Sequence, residues 1–166
     1  MPESTTPRST LIVPHSTNPL AELLERERII GRITELFLAT DRRDWPCVEH
    51  CFADEVRFNM SSVGGGEPAV VSRAAIAEGW RDGLAAIEQI HHQAGNFTVR
   101  IVAEQAEAFC YGIAYHFKRR RTGGNTRVFV GSYDFELEKW SDGWRITSMT
   151  FTCKFIDGNA TLEAPE

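Results

Sequence analysis

Two adjacent imidazoles, His91 and His92, stand in the polar run His91-His92-Gln93-Ala94-Gly95-Asn96. A third, His116, follows in Ala114-Tyr115-His116-Phe117, among aromatic and small residues. Histidine is the side chain most easily tuned to exchange protons near neutral pH. Packing explains a pair of imidazoles poorly, so acid–base chemistry is the reading to test. Neighbouring strand residues face opposite ways, so one of His91 and His92 is expected in a site, and His92 is the candidate. His15 and His50 read as incidental, the first in a leading polar segment and the second on a short helix.

A histidine base needs a carboxylate to orient it. Asp41, in Thr40-Asp41-Arg42-Arg43-Asp44-Trp45, directly follows the first helical pattern. It either orients a histidine or forms a helix-end ion pair with Arg42 or Arg43. Asp44 reads as a helix cap. Asp134, in Gly131-Ser132-Tyr133-Asp134-Phe135, is either an edge-facing residue or a second polar wall of a pocket.

The elements that must position these groups can be read from periodicity. Residues 1–18, rich in Pro, Ser and Thr, read as a flexible arm. Leu20, Leu23, Leu24, Ile30, Ile33, Phe37 and Leu38 place an apolar stripe on a helix ending near Thr40. Asp44-Trp45-Pro46 starts a second, short helix, and Val56 to Met60 alternates as a strand. Ser72 caps a third helix carrying Ile76, Trp80, Leu84 and Ile87. The helical pattern ends near Ile90, and from His92 onward the period becomes two. Four strands are expected over about 93–103, 106–119, 126–139 and 143–156. Residues 158–166 read as a frayed tail, leaving one domain over 19–157. Helices followed by antiparallel strands mean α+β, with a hollow between a curved sheet and its helices as the expected ligand site.

Parity sharpens that hollow. Along Ala108 to Lys118 the odd positions are bulky, whereas Ala108, Cys110, Gly112 and Ala114 leave one face nearly bare until His116. Either something packs closely on that face or a cavity lies over it. By the same parity His92, Ala94, Asn96 and Thr98 share one face.

Composition excludes several classes. A chain of 166 residues with net charge −5 is unlike a nucleic-acid binder. The run Lys118 to Arg121 before Thr122-Gly123-Gly124-Asn125 reads as a solvated hairpin tip, with a phosphate or partner site as the alternative. Gly64-Gly65-Gly66 lacks the lysine and the frame of a phosphate loop. Cys47, Cys51, Cys110 and Cys153 match no zinc spacing, so no metal and no cofactor are expected. No apolar run could span a bilayer, and a reduced, cytoplasmic protein is the simplest expectation.

Several segments taken together resemble a known family. They are Asp41-x-x-Asp44-Trp45, Phe52-Ala53-Asp54-Glu55-Val56, His92-x-x-Gly95-Asn96, Ala114-Tyr115-His116 and Asp142-Gly143-Trp144-Arg145-Ile146. Over about Leu20 to Ile156 the chain resembles the SnoaL-like branch of the nuclear transport factor 2-like superfamily. Within it, the scytalone dehydratase and hexachlorocyclohexane dehydrochlorinase group is the most similar. The resemblance implies an α+β cone: a strongly curved, mixed but mostly antiparallel sheet around a pocket, closed by three helices from the N-terminal half. It implies that Asp41 orients His92, which removes a proton from substrate carbon, with His116 as a second pocket histidine. The dehydratase also uses two tyrosines, and Thr40 and Met60 stand at the corresponding places. The dehydrochlorinase pattern adds a basic residue near the leaving group, for which Arg127 and Arg145 are candidates.

The resulting expectation is a cofactor-independent lyase or isomerase, dehydratase-like, acting on a small cyclic or aromatic substrate. His92, Asp41 and His116 would be catalytic. Asn96 and Ser132 would help bind an oxygen, and Met60, Phe58, Trp80, Phe129 and Phe151 would be apolar walls. The alternative is a non-catalytic ligand-binding or assembly module, like the small subunit of an aromatic-ring dioxygenase. A homo-oligomer is expected, a trimer before a dimer, with no nucleic-acid or membrane partner.

Overall fold

A computed structural model describes residues 18–164. The chain runs α1 (Pro19–Arg42), α2 (Trp45–Cys51), β1 (Phe52–Asn59), a single 3-10 turn (Ser61–Val63), β2 (Ala69–Ser72), α3 (Arg73–Gly83), then β3 (Gln89–Val102), β4 (Gln105–Phe117), β5 (Thr126–Trp140) and β6 (Gly143–Gly158). The strands form one open mixed sheet in the order β2-β1-β6-β5-β4-β3. Only the β1–β6 pair is parallel. The expected arm lies outside the described residues except for Asn18, whose side chain caps α1 through Leu20 and Ala21.

Local chemistry sets the helix ends. The Asp44 carboxylate accepts from the Cys47 backbone N–H, with Pro46 in the first turn of α2, as the sequence predicts. Ser72 caps α3 through Ala75. α1 stops where Arg43 turns left-handed, at φ 58°. The Arg43 guanidinium then donates to the carbonyls of Leu84 and Ile87, tying the end of α1 to the connection before β3. Asp41 is thereby held against that strand.

The main core lies under α1. Ile29, Ile33 and Leu36 are fully buried, and Phe135, Leu137, Ile146 and Met149 meet them from the sheet. Burial pushes the thiols of Cys51 and Cys110 up to about 12, so both are inert fillers. All four cysteines are free.

Four expectations need correction. First, β3 begins at Gln89, so His91 and His92 lie inside a strand, and α3 stops before Leu84 and Ile87. Second, β2 was not anticipated; its short Ala-Val-Val-Ser run pairs with β1 as an edge strand. Third, parity breaks within β3. Asn96 adopts φ 58° in a bulge between Gly95 and Thr98, where one strand carries an extra residue. Before it Ile90, His92 and Ala94 face inward; after it Phe97, Val99 and Ile101 pack on the core. Fourth, the described residues beyond Gly158, up to Ala164, are not frayed, and residues 165–166 of the expected tail lie outside the described residues. Leu162 is fully buried in a small second cluster with Ile87 and Ile90, with Leu84 packed against it.

Candidate active site

β3 and β4 bring the two histidines together. His92 pairs with Ala114 and Ile90 with His116, so the imidazoles are inward-facing diagonal neighbours on adjacent strands. His91 pairs with Tyr115 and is exposed on the other face.

His92 is held from three sides. Its Nδ1 is 2.6 Å from Asp41 Oδ1. Its backbone N–H also donates to Asp41, at 3.0 Å to Oδ2 and 3.2 Å to Oδ1. Phe37 stacks on the ring, with centroids 5.2 Å apart and planes 17° from parallel. A carboxylate only accepts, so the Nδ1 it faces carries the proton. In the neutral ring the opposite nitrogen, Nε2, then carries the lone pair. Asp41 and His92 each keep 13% of their side-chain surface exposed, which leaves a shielded but reachable base.

His116 has the opposite partner. Arg127 Nη2 lies 3.4 Å from its Nδ1. A guanidinium only donates, so Nδ1 is the acceptor and the ring proton sits on Nε2. Burial first, then the Arg127 charge and His92, lowers the His116 pKa to about 4. The ring is neutral at physiological pH and offers an N–H. Arg127 is itself anchored by Glu163, with Nη1 2.7 Å from Oε2 and a second contact from Nη2 to Oε1. Its guanidinium also stacks 4.8 Å over Phe129. The tail that buries Leu162 therefore also steadies His116.

Both rings open onto one cavity of about 410 Å³. Phe58, Met60, Trp80 and Phe129 line it, as the sequence predicts, together with Phe151. Phe37, Thr40, Leu84, Tyr133 and Met149 also line it and were missed as walls. Gly64, Gly65, Gly79 and Gly83 line it too, from the 3-10 loop and α3. Thr40 contributes no free donor, because its hydroxyl donates to the Leu36 carbonyl at 2.8 Å.

The bare face of β4 resolves into both of its alternatives. A Cβ on Gly112 would lie 2.2 Å from the Tyr133 ring, and one on Gly131 would lie 2.7 Å from Phe151. Aromatic rings thus occupy the space that side chains would need at two paired glycines, with the Thr152 carbonyl also close to Gly131. Beyond them Ala114 and His116 border open space.

Two predicted contacts are not made. Asn96 is the exposed bulge residue and does not line the cavity. Ser132 is buried but alternates with the inward Gly131 and Tyr133, and pairs with Tyr111 and Thr152 on the outer face. Asp134 also lies outside. It lines an outer-face concavity of about 420 Å³ with Arg100, Glu107 and Glu136, which holds no imidazole. Arg145 is buried against Asp142 and Trp140, away from the cavity. Among the described residues no cluster of His, Cys, Asp or Glu is arranged to hold a metal, and no helix is long and apolar enough to cross a membrane.

The three-helix, six-stranded α+β fold is shared with solved structures described as NTF2-like, at TM-scores of 0.69 and 0.65. The chain belongs to the family described as the SnoaL-like domain, whose model matches residues 21–150. No curated protein matches the chain significantly. Among solved structures, the Kfla4162 protein from Kribbella flavida is similar at 23% identity and a TM-score of 0.82, covering 87% of this chain and 99% of that one. A scytalone dehydratase candidate from Novosphingobium aromaticivorans gives 13% and 0.74, covering 86% and 92%. The hexachlorocyclohexane dehydrochlorinase LinA-type3 from Novosphingobium barchaimii gives 12% and 0.71, covering 86% and 95%. At these identities the likeness establishes the fold.

Proposed function

We propose that this protein is a cofactor-independent lyase or isomerase that removes a carbon-bound proton from a small cyclic ketone or related aromatic substrate. One observation carries the reading: the short His92 Nδ1–Asp41 contact, which leaves the Nε2 lone pair facing an apolar cavity. Fold neighbours that include a dehydrochlorinase and a dehydratase candidate agree with it.

The chemistry follows from the two opposed rings. The substrate carbonyl accepts a hydrogen bond from His116 Nε2–H. His92 Nε2 takes the proton from the adjacent carbon. The C–H electron pair becomes a C=C bond, and the charge moves to the oxygen facing His116. Asp41 stabilises the imidazolium formed at His92. In a dehydration the enolate then expels a β-hydroxyl, which leaves as water with the proton from His92. In an isomerisation His92 returns the proton to a different carbon. A positioned base contributes about 10²- to 10⁴-fold in rate, and a preorganised donor at the oxygen adds to it.

The reading also takes the chain as a homo-oligomer, a trimer before a dimer. Tyr111, Tyr115 and Phe155, exposed on the outer face of the sheet, support a surface that needs covering. Light scattering in solution measures this.

The enzymatic test uses a panel of cyclic β-hydroxy ketones in deuterated water, followed by NMR. Deuterium entering the carbon next to the carbonyl, or loss of water, is expected from the wild-type protein and not from His92→Ala. Exchange that survives His92→Ala would sink the reading. Tight binding of panel members with no exchange would favour the non-catalytic binding module instead.

A further inference from the structure

Tyr133 is a buried polar side chain at the cavity that the chemistry above leaves unused. Only 4% of its surface is exposed. Rings surround it: Phe37 at 4.9 Å, Phe135 at 5.8 Å and Phe151 at 4.6 Å. None of these offers its hydroxyl a partner, and among the described residues Tyr133 makes no hydrogen bond. The hydroxyl is not among the fully enclosed unpaired polar atoms, and Tyr133 lines the cavity, so the phenol opens on that space, where a ligand oxygen can pair it.

The backbone explains where the phenol reaches. Tyr133 pairs with Cys110, but its ring leans over Gly112, the next inward position of β4. A Cβ there would meet Cε2 at 2.2 Å and Cζ, which bears the hydroxyl, at 3.5 Å. Glycine is therefore required for the ring to lie as it does. The next inward positions along β4 are Ala114, paired with His92, and then His116. The phenol thus leans towards the two imidazoles. Burial, with Cys110 and Asp41 adding, pushes its pKa well above the ordinary tyrosine range, so it stays protonated and donates.

We propose that Tyr133 Oη is a second donor to the substrate oxygen, beside His116 Nε2. Resting on the function proposed above, it narrows the substrate class. Two neutral donors facing one acceptor suit an oxygen that becomes anionic, and the aromatic walls Phe58, Trp80 and Phe129 suit a flat ring. The preferred substrates are cyclic ketones whose enolate is planar and conjugated. Neither Thr40, whose hydroxyl is committed to Leu36, nor Met60 can supply that donor.

4-Nitrophenol is the test probe: it is planar, its oxygen mimics the enolate, and its anion absorbs in the visible. Absorbance titration with the wild-type protein is expected to show binding with enrichment of the anion. Tyr133→Phe is expected to bind about tenfold more weakly or worse, with less of the anion, because a hydrogen bond to a charged oxygen is lost. Its thermal melt checks the fold. In the wild-type protein the ¹³Cζ resonance of Tyr133 is expected to move on binding, which needs no variant. Equal binding by Tyr133→Phe, with an unmoved resonance, would overturn the role of Tyr133. If His116→Gln still weakened the probe in that case, the reading of the pocket would survive. Failure of the wild-type protein to bind the probe would overturn both.

Discussion

His92 and His116 face the same cavity from adjacent strands, yet their surroundings are opposites. His92 meets a carboxylate at Nδ1 and stands as an acceptor. His116 meets a guanidinium at Nδ1 and stands as a donor. The same side chain thus stands as an acceptor in one place and a donor in the other, and the charge of its partner decides which. The partners also come from different parts of the chain. Asp41 is held by the end of α1, whereas Arg127 is held by the tail through Glu163.

The largest effect should come from breaking the acceptor pole. His92→Ala is expected to lower kcat about 10²- to 10⁴-fold on a turned-over ketone, with the fold intact by circular dichroism. Asp41→Asn keeps the shape but can donate to Nδ1, favouring the wrong tautomer. Steady-state kinetics should show a loss of roughly 10²-fold or more in kcat with little change in KM. A loss confined to KM would mean that Asp41 only shapes the pocket.

The donor pole has a pH signature of its own. Folding lowers the His116 pKa from 6.5 to about 4. Its contribution is therefore complete above about pH 6.5 and is lost as pH falls towards 4, where the unfolded chain binds a proton that the folded chain refuses. Urea titrations of the wild-type protein across that window should show roughly 2–3 kcal/mol of stability lost from this group. His116→Gln should remove that share of the slope, and an unchanged slope would contradict the neutral assignment. Glu163→Gln is the mildest change. It loosens a partly buried ion pair but keeps an acceptor for Arg127, and should cost about 1 kcal/mol by urea titration. A loss of several kcal/mol would mean that the tail, not Arg127, sets the donor pole.

Much of this was legible in the sequence, for identifiable reasons. Caps such as Asp44 and Ser72 are local, but the apolar stripe expected on α1 was misplaced: Leu20, Leu23, Leu24 and Leu38 are exposed, and Ile29, Ile33 and Leu36 form the core face. The parity of β4 marked a bare face and left packing or a cavity open; both occur, rings at Gly112 and Gly131 and the cavity at Ala114 and His116. The resemblance pointed to Asp41 and His92, which the fold brings to 2.6 Å although they are far apart in the chain. What failed was non-local. The Asn96 bulge flips parity midway through β3, so Asn96 ends outside. Ser132 could not be assigned a face without the register of β5 against β4. The anchoring of Leu162 depends on contact with Ile87 and Ile90, far away in the chain, which no local pattern shows. Tyr133 carried a usable signal, a bulky residue in register beside paired glycines, but only once the strands are aligned.

The opposed poles can be observed directly. ¹⁵N NMR of histidine-labelled protein at neutral pH reports which ring nitrogen carries the proton. The arrangement predicts two different neutral tautomers, Nδ1–H for His92 and Nε2–H for His116. The same tautomer at both rings, or a protonated His116, would contradict it.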